Sequence, residues 1–175
     1  MKKIARNKGF TLIEILVVIG IIAILATIVI IAINPARQFA QARNTQRVSN
    51  VNALLNSYGQ RLADHKGLFH GDATSDPTCQ IDIPVAAVDL ASAAKICTTL
   101  GSCTGTTFDM RKCIVPNYMS EVPADPSKGT ACIDSTCAAG YDTGYVIYKD
   151  ATSNRITVAV PTANQELGQV ISITR

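Results

Sequence analysis

The pattern of hydrophobic and polar positions changes sharply along this 175-residue chain. Residues 1–9 are short, polar and basic. From Phe10 to Ile33 the only ionisable residue is Glu14, and Ile, Leu, Val and Ala supply most of the rest. A helix over those positions would be ~36 Å long at ~1.5 Å per residue, against a bilayer hydrocarbon core of ~30 Å. The segment is therefore long enough to span a membrane with some tilt.

Behind it the pattern becomes amphipathic. Over residues 36–62, Val48, Val51, Leu55, Tyr58 and Leu62 recur at spacings of three and four, which places them on one helical face. Arg43, Arg47, Asn50 and Arg61 fall elsewhere around the wheel. The expectation is that the apolar face packs on a globular domain while the rest meets solvent or neighbouring subunits. Pro35 separates the two helical zones. A proline removes one helical hydrogen bond and crowds the preceding turn, at ~3 kcal/mol or more, so Asn34-Pro35 predicts a kink or local break. Gly20 is a second weak point, at roughly 1 kcal/mol relative to Ala.

Residues 63–175 read as a small mixed head. Residues 64–84 are loop-like, with Gly67, Gly71, Pro77 and Pro84. Residues 86–100 suit a short Ala-rich helix, and a Gly- and Thr-rich loop follows. The stretch from Val122 to Gly129 is turn chemistry. Gly144–Lys149, Arg155–Val160 and Gln169–Thr174 alternate as strands do, separated by turn-prone residues, which predicts an antiparallel three-stranded meander. The fold class that follows is α+β. A long N-terminal helix, half hydrophobic and half amphipathic, packs by its amphipathic half on a small antiparallel sheet.

Composition sharpens this picture in two places. The formal charge of +3 depends on Lys2, Lys3, Arg6 and Lys8; the rest of the chain holds 12 basic and 13 acidic side chains. Arg37, Arg43, Arg47 and Arg61 form a basic stretch with no acid between them, and beyond Arg61 eight basic face twelve acidic side chains. A basic stalk and a mildly acidic head argue against nucleic acid as a partner. The six cysteines, Cys79, Cys97, Cys103, Cys113, Cys132 and Cys137, all lie on one side of the apolar segment. An even count so placed predicts disulfides in an oxidising space, and among the 15 pairings that six cysteines allow the sequence does not choose.

The junction between the first two zones is distinctive. A secretory signal places a small-residue cleavage site after an apolar stretch of ~7–15 residues. Here the small residue, Gly9, stands before the apolar run, and the run is too long for such a stretch. Cleavage at Gly9 would leave the hydrophobic segment on the mature protein. A plain signal anchor accounts for the basic-then-apolar order but not for this junction.

Lys8-Gly9-Phe10-Thr11-Leu12-Ile13-Glu14, with the Ile/Leu/Val-rich run behind it, closely resembles the prepilin signature shared by type IV pilins and the pseudopilins of type II secretion. The resemblance covers residues 1 to about 35 and extends loosely to the amphipathic helix and to the Pro-x-Asp-Pro-x-x-Gly turn at 123–129. It implies that Gly9 ends a leader peptide (1–9) cut by a membrane prepilin peptidase. Phe10 becomes an N-methylated terminus, and Glu14 guides subunit addition. It further implies a membrane and filament-core helix over 10–35, an amphipathic helix over 36–62 and a head over 63–175. Such a subunit waits as a single-pass inner-membrane protein with its N-terminus inside. An assembly ATPase and a platform protein then add it to an extracellular filament of its own copies, used for adhesion, motility or DNA uptake. A pseudopilin of a secretion system, or a minor pilin whose head binds a ligand, shares the same N-terminus.

Physics bears on Glu14 independently. A carboxylate at the centre of a transmembrane helix costs about 2.5–3.5 kcal/mol by insertion scales, less near an edge, and usually has a partner. Cleavage before Phe10 creates an amine one turn away, which in a bundle of such helices could meet Glu14 of another copy. On charge alone the orientation is narrow, since Arg37, Arg43 and Arg47 oppose the basic leader; the cysteines and the junction place the N-terminus inside.

Other constellations are bland. His65 and His70 flank a Gly-rich loop. Cys132-x4-Cys137 reads as a small disulfide loop rather than half of a zinc site. Asp125, Asp134, Asp142 and Asp150 could offer oxygens to calcium, as in the heads of some pseudopilins, but without the spacing of an EF-hand; solvated turns are the simpler reading. No nucleophile elbow, P-loop or HExxH occurs. Phe69, Phe108, Tyr118, Tyr141, Tyr145 and Tyr148 read as core and strand residues. The reading is a structural subunit that is not an enzyme and needs no metal or other cofactor.

Overall fold

The computed structural model describes residues 9–71, 79–86, 90, 93–98, 103, 105–134 and 136–175. Residues 1–8 of the expected leader, residues 72–78 of the expected loop, and residues 87–89, 91–92 and 99–100 of the expected Ala-rich helix lie outside the described residues. The layout is α+β, and the chain divides into two units, 1–39 and 40–175.

In the first unit, α1 spans Leu12–Ile33 and none of its residues is buried. The helix runs unbroken through Gly20, since one glycine is tolerated inside a long run of favourable neighbours. It stops at Asn34, which takes the left-handed conformation (φ 48°, ψ 77°); asparagine is one of the few side chains that enter that region readily. Helix α2, Pro35–Asp64, starts at the next residue. Asn34 serves both helices. It closes α1, and its Oδ1 accepts the Arg37 N–H at 3.3 Å as the N-cap of α2. Pro35 fits the first helical position, where a missing N–H leaves no bond unmade.

In the second unit, α2 from Ala40 onward buries Val51, Leu54 and Leu55, with Val48, Tyr58 and Leu62 packed at the margin. These residues face a sheet of β1 (Val85–Ala86), β2 (Ala94–Cys97), β3 (Thr107–Phe108), β4 (Asp142–Asp150), β5 (Ile156–Ala159) and β6 (Ser172–Thr174). The order across the sheet is β3-β2-β4-β5-β6, and β1 extends the β2 side of β4 beyond the end of β2. A short helix α3, Arg111–Ile114, follows β3, and a 3-10 turn spans Thr162–Asn164.

The expected meander is present as β4-β5-β6, with Val146 opposite Ala159 and Val158 opposite Ile173. Two expectations need correction. The sheet is mixed, because β1 runs parallel to β4 and β3 parallel to β2. Residues 94–97, expected within the Ala-rich helix at 86–100, form strand β2 against β4. Alanine prefers a helix only weakly, and that preference yields where a buried sheet position is open to Ile96 and Cys97. Alternation along β4 explains the two-sided core. Tyr145 and Ile147 join the large cluster with α2, while Val146 and Tyr148 join Ala93 and Ala159 on the other face.

All six cysteines pair, as Cys79–Cys113, Cys97–Cys103 and Cys132–Cys137. The aromatic residues of the head are core: Phe69, Phe108, Tyr141, Tyr145 and Tyr148 are buried and Tyr118 is partly so.

Candidate functional site

Two places gather the candidate side chains, one in each unit. The first is the N-terminal junction. Gly9 and Phe10 precede α1 outside any regular element and are exposed, with Phe10 82% exposed. Thr11 is the N-cap and Glu14 the third helical residue, and the two close a reciprocal box. The Glu14 N–H donates to Thr11 Oγ1 at 3.3 Å, and the Thr11 N–H and hydroxyl donate to Glu14 Oε2 at 2.9 and 2.8 Å. The Thr-x-x-Glu pattern before an apolar run is a sequence-level capping signature, and it gives Glu14 a local partner that the sequence reading missed. Glu14 thereby starts the helix and is held beside the first residues.

Behind the junction, α1 presents apolar side chains on all sides, and it is long and apolar enough to cross a membrane. Thr27, its one other polar side chain, is satisfied within the helix by the Ala23 carbonyl at 2.9 Å.

The second place is the contact, within the second unit, between α2 from Ala40 onward and the turn at 123–129. Here the expectation that Arg47 and Arg61 lie outside the packed face is wrong: both are fully buried, as is Asn44. Arg47 Nε donates to Asp125 Oδ2 at 2.7 Å and Nη2 to Oδ1 at 3.2 Å. Its remaining donors reach Ser127 Oγ at 2.7 Å and Asn44 Oδ1 at 2.8 Å, and Nη1 lies 3.4 Å from Glu166. Arg43 Nε, nearer the surface, donates to both carboxylate oxygens of Glu166, at 3.0 and 2.9 Å. Asn50 Nδ2 donates to the Ala124 carbonyl and to Tyr145 Oη. Burial pushes the Tyr145 phenol up to about 12, so it stays neutral and able to accept that bond.

The turn is shaped to fit. Asp125 Oδ1 also accepts the N–H groups of Ser127 and Lys128, and the Asp125 N–H pairs with the Thr143 carbonyl at 2.7 Å. A Cβ on Gly129 would sit 2.5 Å from the Asp125 nitrogen and 2.9 Å from the Thr143 oxygen. Gly144, at φ 73°, is also close, and a Cβ there would lie 2.9 Å from the Asp125 side chain. Burial alone would raise the Asp125 carboxyl, but the Arg47 guanidinium and the Ser127 hydrogen bonds together hold it below the usual carboxylate range.

The four aspartates named as oxygen donors are each engaged in a different place. Asp125 faces Arg47, Asp134 takes the Thr136 N–H, Asp142 the Gly144 N–H, and Asp150 the N–H groups of Thr152 and Ser153. Among the described residues no group of three or more His, Cys, Asp or Glu side chains is placed to hold a metal ion. His70 Nε2 lies 3.9 Å from Asp82, in a partly exposed position.

Residues 4–30 match the model of the prokaryotic N-terminal methylation motif. The chain thus carries the prepilin-type motif of type IV pilins and pseudopilins, which supports a member of that class. The motif implies processing by a prepilin peptidase and entry into a pilus or a secretion assembly, and with the apolar α1 it fits a single-pass, membrane-anchored precursor. Neither the curated proteins nor the solved structures contain a match.

Proposed function

We propose that this protein is a type IV pilin: a structural subunit, rather than an enzyme, that is cut after Gly9, methylated at Phe10 and added to a helical extracellular filament. The observation that carries the reading is the junction itself. A small residue, an exposed Phe10 and a capped Glu14 stand immediately before a helix whose apolar side chains are all exposed within the subunit. Removal of that helix from lipid into a bundle of its own kind gives those side chains a protein environment, and the new amine gives Glu14 a second partner on another copy. An unpaired carboxylate in apolar surroundings is costly, so the pairing favours one register of addition.

Electron microscopy of cells with and without the gene tests this. Long surface filaments that vanish with the gene and return with the wild-type copy are expected. Replacement by Glu14→Ala should lower filament yield by at least about tenfold, an effect of the size of one buried charge lost from its partner, while the precursor is still made and cut. If cells carry no filaments and fail instead to release exported proteins, the subunit is a pseudopilin.

A further inference from the structure

Arg61, near the end of α2, is as buried as Arg47 but has a different set of partners. Its Nε donates to the Phe69 carbonyl at 2.6 Å and its Nη1 to the Cys113 carbonyl at 2.7 Å. The guanidinium carbon lies 5.6 Å from the Phe69 ring centre and 6.0 Å from that of Tyr118, within the range where a cation is attracted to an aromatic face. Both carbonyls adjoin one disulfide. The Cys113 carbonyl belongs to one of its cysteines, and the Phe69 carbonyl lies 3.5 Å from Cys79 Sγ, with the Cys79 carbonyl held in turn by the Gly71 N–H at 2.7 Å.

The three disulfides differ in reach. Cys132–Cys137 and Cys97–Cys103 join residues 5 and 6 apart, and Cys79–Cys113 joins residues 34 apart. In an unstructured chain the long loop would close on the order of tenfold less readily than the short ones. The short pairs need only their own loops. The long pair needs something that brings the segment after α2 against α3, and the fork of Arg61 binds the backbone of both.

We propose that Arg61 is the positioning residue for the Cys79–Cys113 disulfide, selecting it among the pairings open to six cysteines by clamping the Phe69 and Cys113 carbonyls on one cation. The chemistry is ordinary thiol–disulfide exchange. One cysteine thiolate attacks a disulfide oxidant to form a mixed disulfide and release one thiol. The second thiolate displaces the other thiol, so one S–S bond replaces another, two electrons pass to the oxidant, and the two cysteine protons end on the released thiols. Arg61 contributes geometry alone. A planar guanidinium holds two carbonyls in fixed directions, which a lysine ammonium does not.

The test uses the full chain in detergent, reduced and then reoxidised in mixtures of oxidised and reduced glutathione, quenched by alkylation and mapped by peptide mass spectrometry. Arg61→Met should lower the effective concentration of the Cys79–Cys113 pair by at least about tenfold, the scale of losing hydrogen bonds from a charged donor, and leave the two short pairs unchanged. Leu54→Ala is the control, because it loosens the same core without touching either carbonyl. The proposal is overturned if Arg61→Met forms the long pair as wild type does, if its loss is no greater than that of Leu54→Ala, or if all three pairs fall together. Should Arg61→Met fail to fold, Arg61→Lys takes its place: selective loss of the long pair supports the clamp, and wild-type pairing overturns it.

Discussion

Helix α1 and the portion of α2 from Ala40 onward are neighbours in sequence and opposites in logic. Beyond Glu14 and Thr27, α1 has no polar side chain, yet nothing in it is buried. The second stretch is rich in Arg, Asn and Gln, yet Arg47 and Arg61 are the two largest of the fully buried side chains. Hydropathy alone therefore does not predict which of these two helices is buried. An apolar surface left open on all sides is rare on soluble monomers and marks a surface meant for lipid or for other chains. A buried guanidinium with every donor directed at an acceptor marks something else, a contact whose geometry is specified within the chain. By its composition α1 is built for surroundings outside the subunit, and α2 for one particular turn within it.

The largest effect should come from breaking that specified contact on one side. Asp125→Ala leaves the Arg47 charge buried without its carboxylate, and should destabilise the second unit by about 3–5 kcal/mol in denaturant unfolding. The double change Arg47→Met with Asp125→Leu removes both charges and should recover most of the loss, since apolar replacements of buried ion pairs are often close to neutral. If the double variant is as unstable as the single one, the pair is not an isolated unit.

Next is the same truncation made in each helix. Leu54→Ala removes a fully buried side chain of α2 and should cost about 2–5 kcal/mol. Leu25→Ala in α1 removes one that is 57% exposed, and should shift the unfolding of the detergent-solubilised subunit by no more than about 0.5 kcal/mol. A similar cost for the two would erase the contrast between the helices.

Acid gives a smaller and graded version of the first test. Asp125 is raised by burial and lowered more by Arg47 and Ser127. Glu121 is likewise raised by burial and lowered more by its ion pair with Arg111 and the Val122 N–H. Both carboxyls therefore titrate in the folded state below their unfolded values. Their contribution is fully present above the unfolded pKa, about 4, and is lost as pH falls through the lowered folded values. Unfolding free energy should be flat across neutral pH and fall below about pH 4, and the Arg47→Met/Asp125→Leu variant should show a shallower acid limb.

How much of this was legible in the sequence follows the same division. α1 was legible because a run from Phe10 to Ile33 with one ionisable residue has few readings, and the junction was legible because Gly9 precedes that run. The three final strands were legible because their β-branched and aromatic residues alternate in short runs separated by turn-prone segments. The buried face of α2 was read too narrowly. Val51 and Leu55 were placed inward, but Asn44, Arg47, Leu54 and Arg61, which share the helical spacing of Ala40 and Val51, were not. A rule that sends arginine to solvent fails where a distant turn supplies the counter-charge, and nothing in residues 44–61 announces Asp125. The Pro-x-Asp-Pro-x-x-Gly turn was visible as a turn, while its role as a socket depends on Gly129 and Gly144, fifteen residues apart, closing on Asp125. Strand β2 was hidden because four residues paired to a buried strand carry too little local signal to outweigh the alanines that precede them. The disulfide pairing was undetermined for the same reason as the socket: it is a property of the assembled second unit.

The central claim is that the chain between residues 9 and 33 is a processing and assembly segment rather than a plain anchor. Intact-mass and N-terminal peptide mass spectrometry of the protein taken from the cell envelope tests it most directly. The expected result is a mature chain that begins at Phe10 and carries a methyl group on its amine. An N-terminus still at Met1, or one beyond residue 33, would contradict it.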